Sequence, residues 1–321
     1  MLSTVTYVNS SIAILNEKTL NIHKDGVQAH IDLPSKGLLV CGCYVITETK
    51  DILVINDGAV KRIGKSHKTP TKMAISGSSM YIADRAGSVY ELEDLEKTCM
   101  SQMEGAPKHL FGSISMITDI IVSEDSIITA DKDNKIRVTD RQYPHRIQSF
   151  IQVHSKPILS IATVGKYLVA GGYDWYVSLY NTDTKEVLIF DLMQNKIERM
   201  GKTLPGVDDP ENISNINLDA ESKVRKLLGN GNTLLILRNS TPILVDISKI
   251  NENLEVTCTE ISGLSDKVII DGISMEDGFA VLDEQGFLFK IVPSAPAPTQ
   301  ILQIPNYTHK IDISIANKYL D

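Results

Sequence analysis

Residues 127–140 read IITADKDNKIRVTD, and residues 168–181 read LVAGGYDWYVSLYN. Laid over one another they keep step: two short apolar runs flank a polar turn, and Asp133 falls on Asp174. The match extends backwards. Residues 112–140, opening Gly112-Ser113-Ile114-Ser115-Met116-Ile117, and residues 153–181, opening Val153-His154-Ser155-Lys156-Pro157-Ile158, are both 29 long and start 41 apart. One unit earlier, MYIADRAGSVYELE at 80–93 sets Ala83-Asp84-Arg85 over Ala130-Asp131-Lys132. A period near 41 built from strand, turn and strand is the signature of WD-type propeller blades.

The rest of the chain agrees with this period. Short runs rich in Val, Ile, Leu and Tyr recur throughout, among them SIAIL, DILVIN, DSIITA, TLLILR, GFAVLD and FLFKIV, and Gly, Asp, Asn and Ser punctuate them. Helical periodicity is nearly absent; only residues 219–228 suggest a turn or two. Seven blades of about 40 residues need about 280, and the chain has 321. The expected fold is therefore all-β, a seven-bladed WD-repeat β-propeller forming one domain over 1–321. Its clearest blades are 66–95, 112–140 and 153–181, read as blades 2 to 4. Residues 204–215 (LPGVDDPENISN) and the Pro-rich PSAPAP at 293–298 read as loops.

Composition bounds the function. Net charge is −8 and pI about 5.4, so the surface as a whole repels phosphate, and contact with nucleic acid is expected to be local or supplied by a partner. The opening MLSTVTYVNSSIAIL has no basic segment before an apolar one, which predicts no secretory leader. The longest apolar run, 37–46, is about half of a bilayer span, so no membrane role is expected. Cys41, Cys43, Cys99 and Cys258 are spaced too irregularly for a disulfide framework, and reduced thiols suit a cytosolic or nuclear protein.

The paired aspartates of 131–133 invite a catalytic or metal reading. A calcium loop would need an oxygen ligand at 135, Gly at 136 and an acid at 142; the chain has Lys135, Ile136 and Gln142. No zinc-protease, nucleophile-elbow or phosphate-loop motif occurs, and the seven histidines have no ligand spacing. The residues therefore point to no catalytic, cofactor or metal site. In the blade reading, Asp174 pairs with His154, and Tyr180-Asn181 stand where Trp-Asp is expected. With Ser113 in place of His, Asp133 is expected to hold its own turn. The cations carry the remaining signal. Arg85 and Lys132 occupy equivalent turn positions, Lys156 follows His154, and Lys135, Arg137, Arg141, His145 and Arg146 are expected nearby. Solvated surface lysines are the plain alternative; a docking rim for an acidic partner is the functional one.

These residues resemble a known family. Gly112-Ser113-Ile114-Ser115-Met116-Ile117-Thr118-Asp119, followed by Ile128-Thr129-Ala130-Asp131-Lys132-Asp133-Asn134-Lys135-Ile136-Arg137-Val138, is similar to its G-H-V-S-M-L-T-D … I-T-A-D-R-D-E-K-I-R-V. Tyr143-Pro144 and Ser149-Phe150 with His154 resemble its approach to S-F-x-x-G-H, and residues 81–90 resemble V-A-D-K-x-G-D-V-Y. The family is the non-catalytic WD-repeat subunit of the eukaryotic tRNA (guanine-N7-)-methyltransferase, and the likeness covers residues 80–180. It implies a scaffold that binds and stabilises a separate catalytic subunit as a heterodimer. That partner would carry S-adenosylmethionine and most of the tRNA contact, while the propeller needs no cofactor. The product implied is 7-methylguanosine at position 46 of tRNA, in a mainly nuclear complex. Partner contacts carried over by position are Arg85 and Lys132; Lys156, in a loop where members vary, and Arg137 are further candidates for partner binding, with His154, Asp174 and Asp133 structural. Ser160 stands where some members carry a basic docking residue. The alternatives are a generic WD-repeat adaptor in another complex, such as a ubiquitin-ligase substrate receptor or a chromatin factor, and a propeller enzyme.

Overall fold

Consecutive β-runs too short to bury both faces alone must stack, and here they stack as a closed ring. The computed structural model describes residues 5–8, 11–24, 27–101, 104–200, 223–250, 254–304 and 307. They form seven antiparallel sheets, each made of strands consecutive in sequence. As blades I to VII these cover residues 5–32, 37–65, 70–112, 117–151, 158–199, 224–260 and 269–303. Six have four strands and blade V has five. The repeats at 66–95, 112–140 and 153–181 thus belong to blades III, IV and V, because two complete sheets precede them. Each repeat begins in, or one residue before, the loop that enters its blade and stops before its outer strand.

The inner strands are Val5–Val8, Gly37–Cys41, Pro70–Ser76, Ile117–Val122, Ile158–Val164, Val224–Asn230 and Ile269–Met275. Each contacts the next, and the last contacts the first, so the ring closes. Apolar clusters fill the seams. Tyr81, Val89 and Phe111 of blade III meet Ile117, Ile120 and Ile127 of blade IV. Val5, Ile12 and Ile14 of blade I meet Ile270, Leu282 and Leu288 of blade VII. Fully burying a side chain of this size contributes about 1.5–3 kcal/mol, which is why the alternating runs hold as sheets.

Three expectations are corrected. Residues 224–228 lie in the strand Val224–Asn230, where Val224 and Leu227 are buried between blades; 219–222 lie outside the described residues. Among the described residues the α-helix is Leu95–Met100, between the third and fourth strands of blade III. The Pro-rich stretch is a turn at 293–294 leading into the strand Ala295–Gln303. That strand is the outer edge of blade VII, where a missing N–H leaves no ladder bond unmade. Residues 204–215 lie outside the described residues.

Candidate functional site

The face of interest, called the upper face, carries the turns between second and third strands and the loops entering each blade. On blade V it holds a buried hydrogen-bond chain. His154 Nδ1 is 2.8 Å from Asp174 Oδ2, and its Nε2 is 2.8 Å from Ser178 Oγ. Asp174 also accepts from Ser155 Oγ at 2.6 Å and from the Lys156 N–H at 3.3 Å. Tyr176 stacks on the imidazole at 5.1 Å and donates to the Val153 carbonyl at 2.8 Å. Burial, with Asp174 adding to it, pushes the Tyr176 phenol well up. A Ser-His-Asp order of this kind can serve hydrolysis where the serine is reachable. Here Ser178 is 2 % exposed and His154 4 %, so the chain ties the loop entering blade V to the turn between its second and third strands and to the third strand. At the other end of the third strand, buried Asn181 accepts from the N–H groups of Asp183 and Thr184, filling the Trp-Asp place.

Blade IV solves the same problem differently, and the role assigned to Asp133 is corrected. Asp131 Oδ1 accepts from the Asp133 N–H at 2.9 Å and the Lys135 N–H at 3.0 Å; Ser113 Oγ reaches Asp131 Oδ2 at 3.4 Å. Asp133 itself is exposed. The residue aligned with Asp131 is Gly172, where a Cβ would meet the Pro157 carbonyl oxygen at 2.1 Å. Blade V therefore has no carboxylate at that position and uses Asp174; blade IV has one, and it takes both turn N–H groups. Burial raises the Asp131 carboxyl above its ordinary range, and the two N–H bonds partly offset this. The device recurs in Asp84 and Asp283, each accepting two turn N–H groups. In all three the fourth turn residue has positive φ: Gly87, Asn134 and Gly286. The pattern Asp-x-x-Gly/Asn was a readable signal for it.

The residue after that aspartate is fixed by its own N–H, which donates to the loop entering the blade. Arg85 bonds Thr69, Lys132 bonds Met116, Tyr173 bonds Pro157 and Glu284 bonds Val268; Glu48 bonds Lys36 in the same way. The equivalent positions are thus Glu48, Arg85, Lys132, Tyr173 and Glu284 on blades II, III, IV, V and VII. The rim is cationic on III and IV and acidic on II and VII. Lys156 is exposed in the loop entering blade V. Lys223 lies 4.7 Å over the Tyr173 ring, a cation that sequence reasoning passed over.

Other expected members are placed elsewhere. Arg137 lies in the seam between blades III and IV. Its guanidinium is 4.3 Å over the Phe111 ring and donates to the Gly112 carbonyl at 2.9 Å and Thr139 Oγ1 at 3.0 Å. Burial lowers its pKa. Arg141, His145 and Arg146 lie in the connection between strands Ile136–Asp140 and Ile147–Ile151, at the opposite end of the blade. There Arg141 clamps Ser76 and the Tyr81 hydroxyl of blade III. Ser160 is 2 % exposed and faces the hub.

In the hub Ser160 belongs to a polar belt. Lys72 Nζ is 3.4 Å from Asp119 Oδ1; Asp119 Oδ2 accepts from Ser160 Oγ and the Ile161 N–H, both at 3.0 Å. Ser160 Oγ accepts from the Leu227 N–H at 3.1 Å, and Lys226 pairs with Asp271. Asp271 Oδ2 accepts from the Val5 N–H at 3.1 Å, and Thr6 Oγ1 from the Gly42 N–H at 2.9 Å. Six of seven seams are bridged. Lys72, Asp119, Ser160, Lys226 and Asp271 each follow a register shift near the start of the inner strand, which aims them at the neighbouring blade. Their signal was a polar residue third in an apolar strand: PTK, ITD, ILS, VRK and IID.

Among the described residues no three His, Cys, Asp or Glu side chains are placed to hold a metal ion, and no helix is long and apolar enough to cross a membrane. Solved structures share the ring. A chain of the mitotic checkpoint complex superposes with a TM-score of 0.66 at 10 % identity, over 95 % of this chain and 91 % of that one. Sqt1 of Saccharomyces cerevisiae gives 0.61 at 10 %, over 92 % and 83 %. At that identity the likeness speaks for the fold alone.

Sequence relatives go further. The Danio rerio tRNA (guanine-N(7)-)-methyltransferase non-catalytic subunit wdr4 is 33 % identical over 110 residues, 33 % of this chain and 25 % of the relative. The Homo sapiens subunit WDR4 is 36 % identical over 91 residues, 28 % and 21 % of the two chains. The Drosophila willistoni subunit wuho is 28 % identical over 149 residues, 45 % and 34 %. The match thus spans about a third or less of these relatives. The model of the tRNA methyltransferase TRM82 WD40 domain matches residues 94–271, from the helix of blade III into blade VII. With that match across more than half of a seven-bladed ring, the chain belongs to the tRNA methyltransferase TRM82 WD40 domain family.

Proposed function

We propose that this chain is the non-catalytic scaffold subunit of a tRNA (guanine-N7-)-methyltransferase. It binds and stabilises a separate catalytic subunit as a heterodimer, and the pair forms 7-methylguanosine at position 46 in the variable loop of tRNA. The partner carries S-adenosylmethionine and most of the tRNA contact, and the complex is nuclear. The observation that carries this reading is the family match over residues 94–271. The rim charge supports it. Arg85, Lys132 and Lys156 lie on the upper face of blades III to V in a chain of net charge −8. Cations so placed set the register and encounter rate of an acidic partner more than its final affinity.

The test is affinity purification of the tagged chain with mass spectrometry, paired with nucleoside analysis of tRNA from a null strain. A methyltransferase should co-purify and 7-methylguanosine should be lost. Normal 7-methylguanosine in the null strain would overturn the reading.

A further inference from the structure

Four of the eight exposed large apolar side chains among the described residues are Ile114, Tyr143, Ile147 and Phe150, all on blade IV or the loop entering it. The others, Val27, Met100, Met193 and Val268, are scattered over other blades and connections. Ile114 is 102 % exposed, yet its backbone is held. The Ser113 N–H donates to the Gly87 carbonyl at 2.7 Å. A Cβ on Gly87, at φ +85°, would meet the carbonyl oxygens of Ser113 and Ser115 at 2.5 Å. The chain on both sides of Ile114 is thus pressed onto the blade III turn, and the side chain is presented to water.

Phe150, 53 % exposed, is the cross-strand partner of Arg137, and Ile147 that of Thr139, so these four side chains share one face of blade IV. That face turns towards blade III, because Arg137 reaches Phe111 and Gly112 there. Ile114 lies two residues beyond Gly112, whose carbonyl Arg137 holds, and Phe150 and Ile147 lie on the same blade face as Arg137, so three exposed apolar side chains line the seam between blades III and IV as a broken ridge. A cluster of apolar groups on an otherwise polar surface marks an interaction site, and preformed geometry lowers the entropy cost of binding.

We propose that this ridge is a docking surface for an acidic, apolar-studded segment of a protein partner, which on the reading above is the catalytic subunit. Charge selects that occupant. Residues 128–156 hold six Lys or Arg and three Asp, in a chain of net charge −8. The equivalent turn positions on blades II and VII carry Glu48 and Glu284, so an acidic segment is steered to blades III and IV. The division of labour is then specific: the rim cations govern association, and the ridge governs dissociation.

The test is the Ile114→Ser, Phe150→Ser double variant, with Ile147→Ser as a second, each co-expressed with the methyltransferase subunit of the same organism. Truncating central apolar contacts costs about tenfold or more in affinity. We expect a Kd weakened by about that factor through faster dissociation, with an unchanged melting temperature. The loss should persist between about 0.1 and 1 M salt, where screening tightens from about 10 to about 3 Å. Wild-type binding with unchanged variant affinity would overturn the ridge and leave the scaffold reading intact. No complex with the wild-type chain would overturn both. Wild-type self-association that the variants abolish would make the ridge a contact between copies and overturn the occupant.

Discussion

Asp119 is the buried acceptor on which three blades converge, and its removal should be costly. It is 8 % exposed, faces Lys72 at 3.4 Å, and accepts from Ser160 Oγ and the Ile161 N–H at 3.0 Å each. Asp119→Ala leaves the Lys72 ammonium, itself 6 % exposed, without its counter-charge. Breaking one side of a buried pair costs about 3–5 kcal/mol. Unfolding entropy of about 2.1 cal/mol/K per residue over 321 residues is about 0.7 kcal/mol/K, so Tm should fall by about 5–7 °C. Lys72→Met alone should also destabilise, because it strands the carboxylate. The double variant removes both charges and should lose only the orphaned hydroxyl and N–H bonds, about 1–3 kcal/mol. Urea unfolding of the four proteins, arranged as a double-mutant cycle, measures the coupling. An Asp119→Ala cost under about 1 kcal/mol, or a double variant equal to the sum of the singles, would refute the belt as an energetic element.

Asp131→Ala should cost about 2 kcal/mol by leaving two turn N–H groups unpaired, whereas exposed Asp133→Ala should stay within about 0.5 kcal/mol; the reverse order in denaturant midpoints would restore Asp133 as the turn acceptor. Because burial raises the Asp131 pKa, the folded state holds that proton more tightly than the unfolded one. That contribution is present below the ordinary carboxylate range and fades as pH rises through the raised value. The stability of the wild type minus that of Asp131→Asn should therefore fall with rising pH across that window, and a rise would contradict it. Arg85→Glu with Lys132→Glu should slow association with the catalytic subunit at low salt and lose its effect as salt rises, so an unchanged rate in stopped-flow mixing counts against the rim. Burial, with Cys43 adding to it, pushes the Cys41 thiol up to about 11 from 9.0. Alkylation at pH 8 should be about a hundredfold slower in the native protein than in urea, and equal rates would show the thiol to be open.

The ring was legible because its strands are built from period-two apolar runs at a 41-residue spacing, and the strands named above all lie in sheets. His154 and Asp174 were legible because the entering loop and the turn recur at fixed distance. The alignment of Asp133 with Asp174 is sound as register, yet it misled about role. Asp131 takes turn N–H groups whereas Asp174 accepts from the entering loop, and the position aligned with Asp131 is Gly172, tight against the Pro157 carbonyl; spacing does not encode that. Arg141 and Arg137 lie close in sequence, but one strand length separates the two ends of a blade, so proximity along the chain placed Arg141 on the wrong face. The belt was missed because Lys72 and Asp271 each look like an ordinary surface charge until the register shift before them is known. Residues 224–228, VRKLL, read as helix because Val224, Leu227 and Leu228 sit at the i, i+3, i+4 spacing of a helix, while burial between two neighbouring blades suits the strand.

The hub belt also governs something at the periphery. Inner strands lined by Val, Ile and Leu can slide past one another with small loss of contact, since one aliphatic side chain replaces the next. Lys72, Asp119, Lys226 and Asp271 cannot, because a shift of one residue strands a charge in the hub. Blade III is therefore held in step with blade IV, and blade VI with blade VII, along the channel axis. Levelling the blades at the centre brings Arg85 and Lys132 out at a common height, so the flatness of the face offered to a partner is decided by side chains that partner never meets.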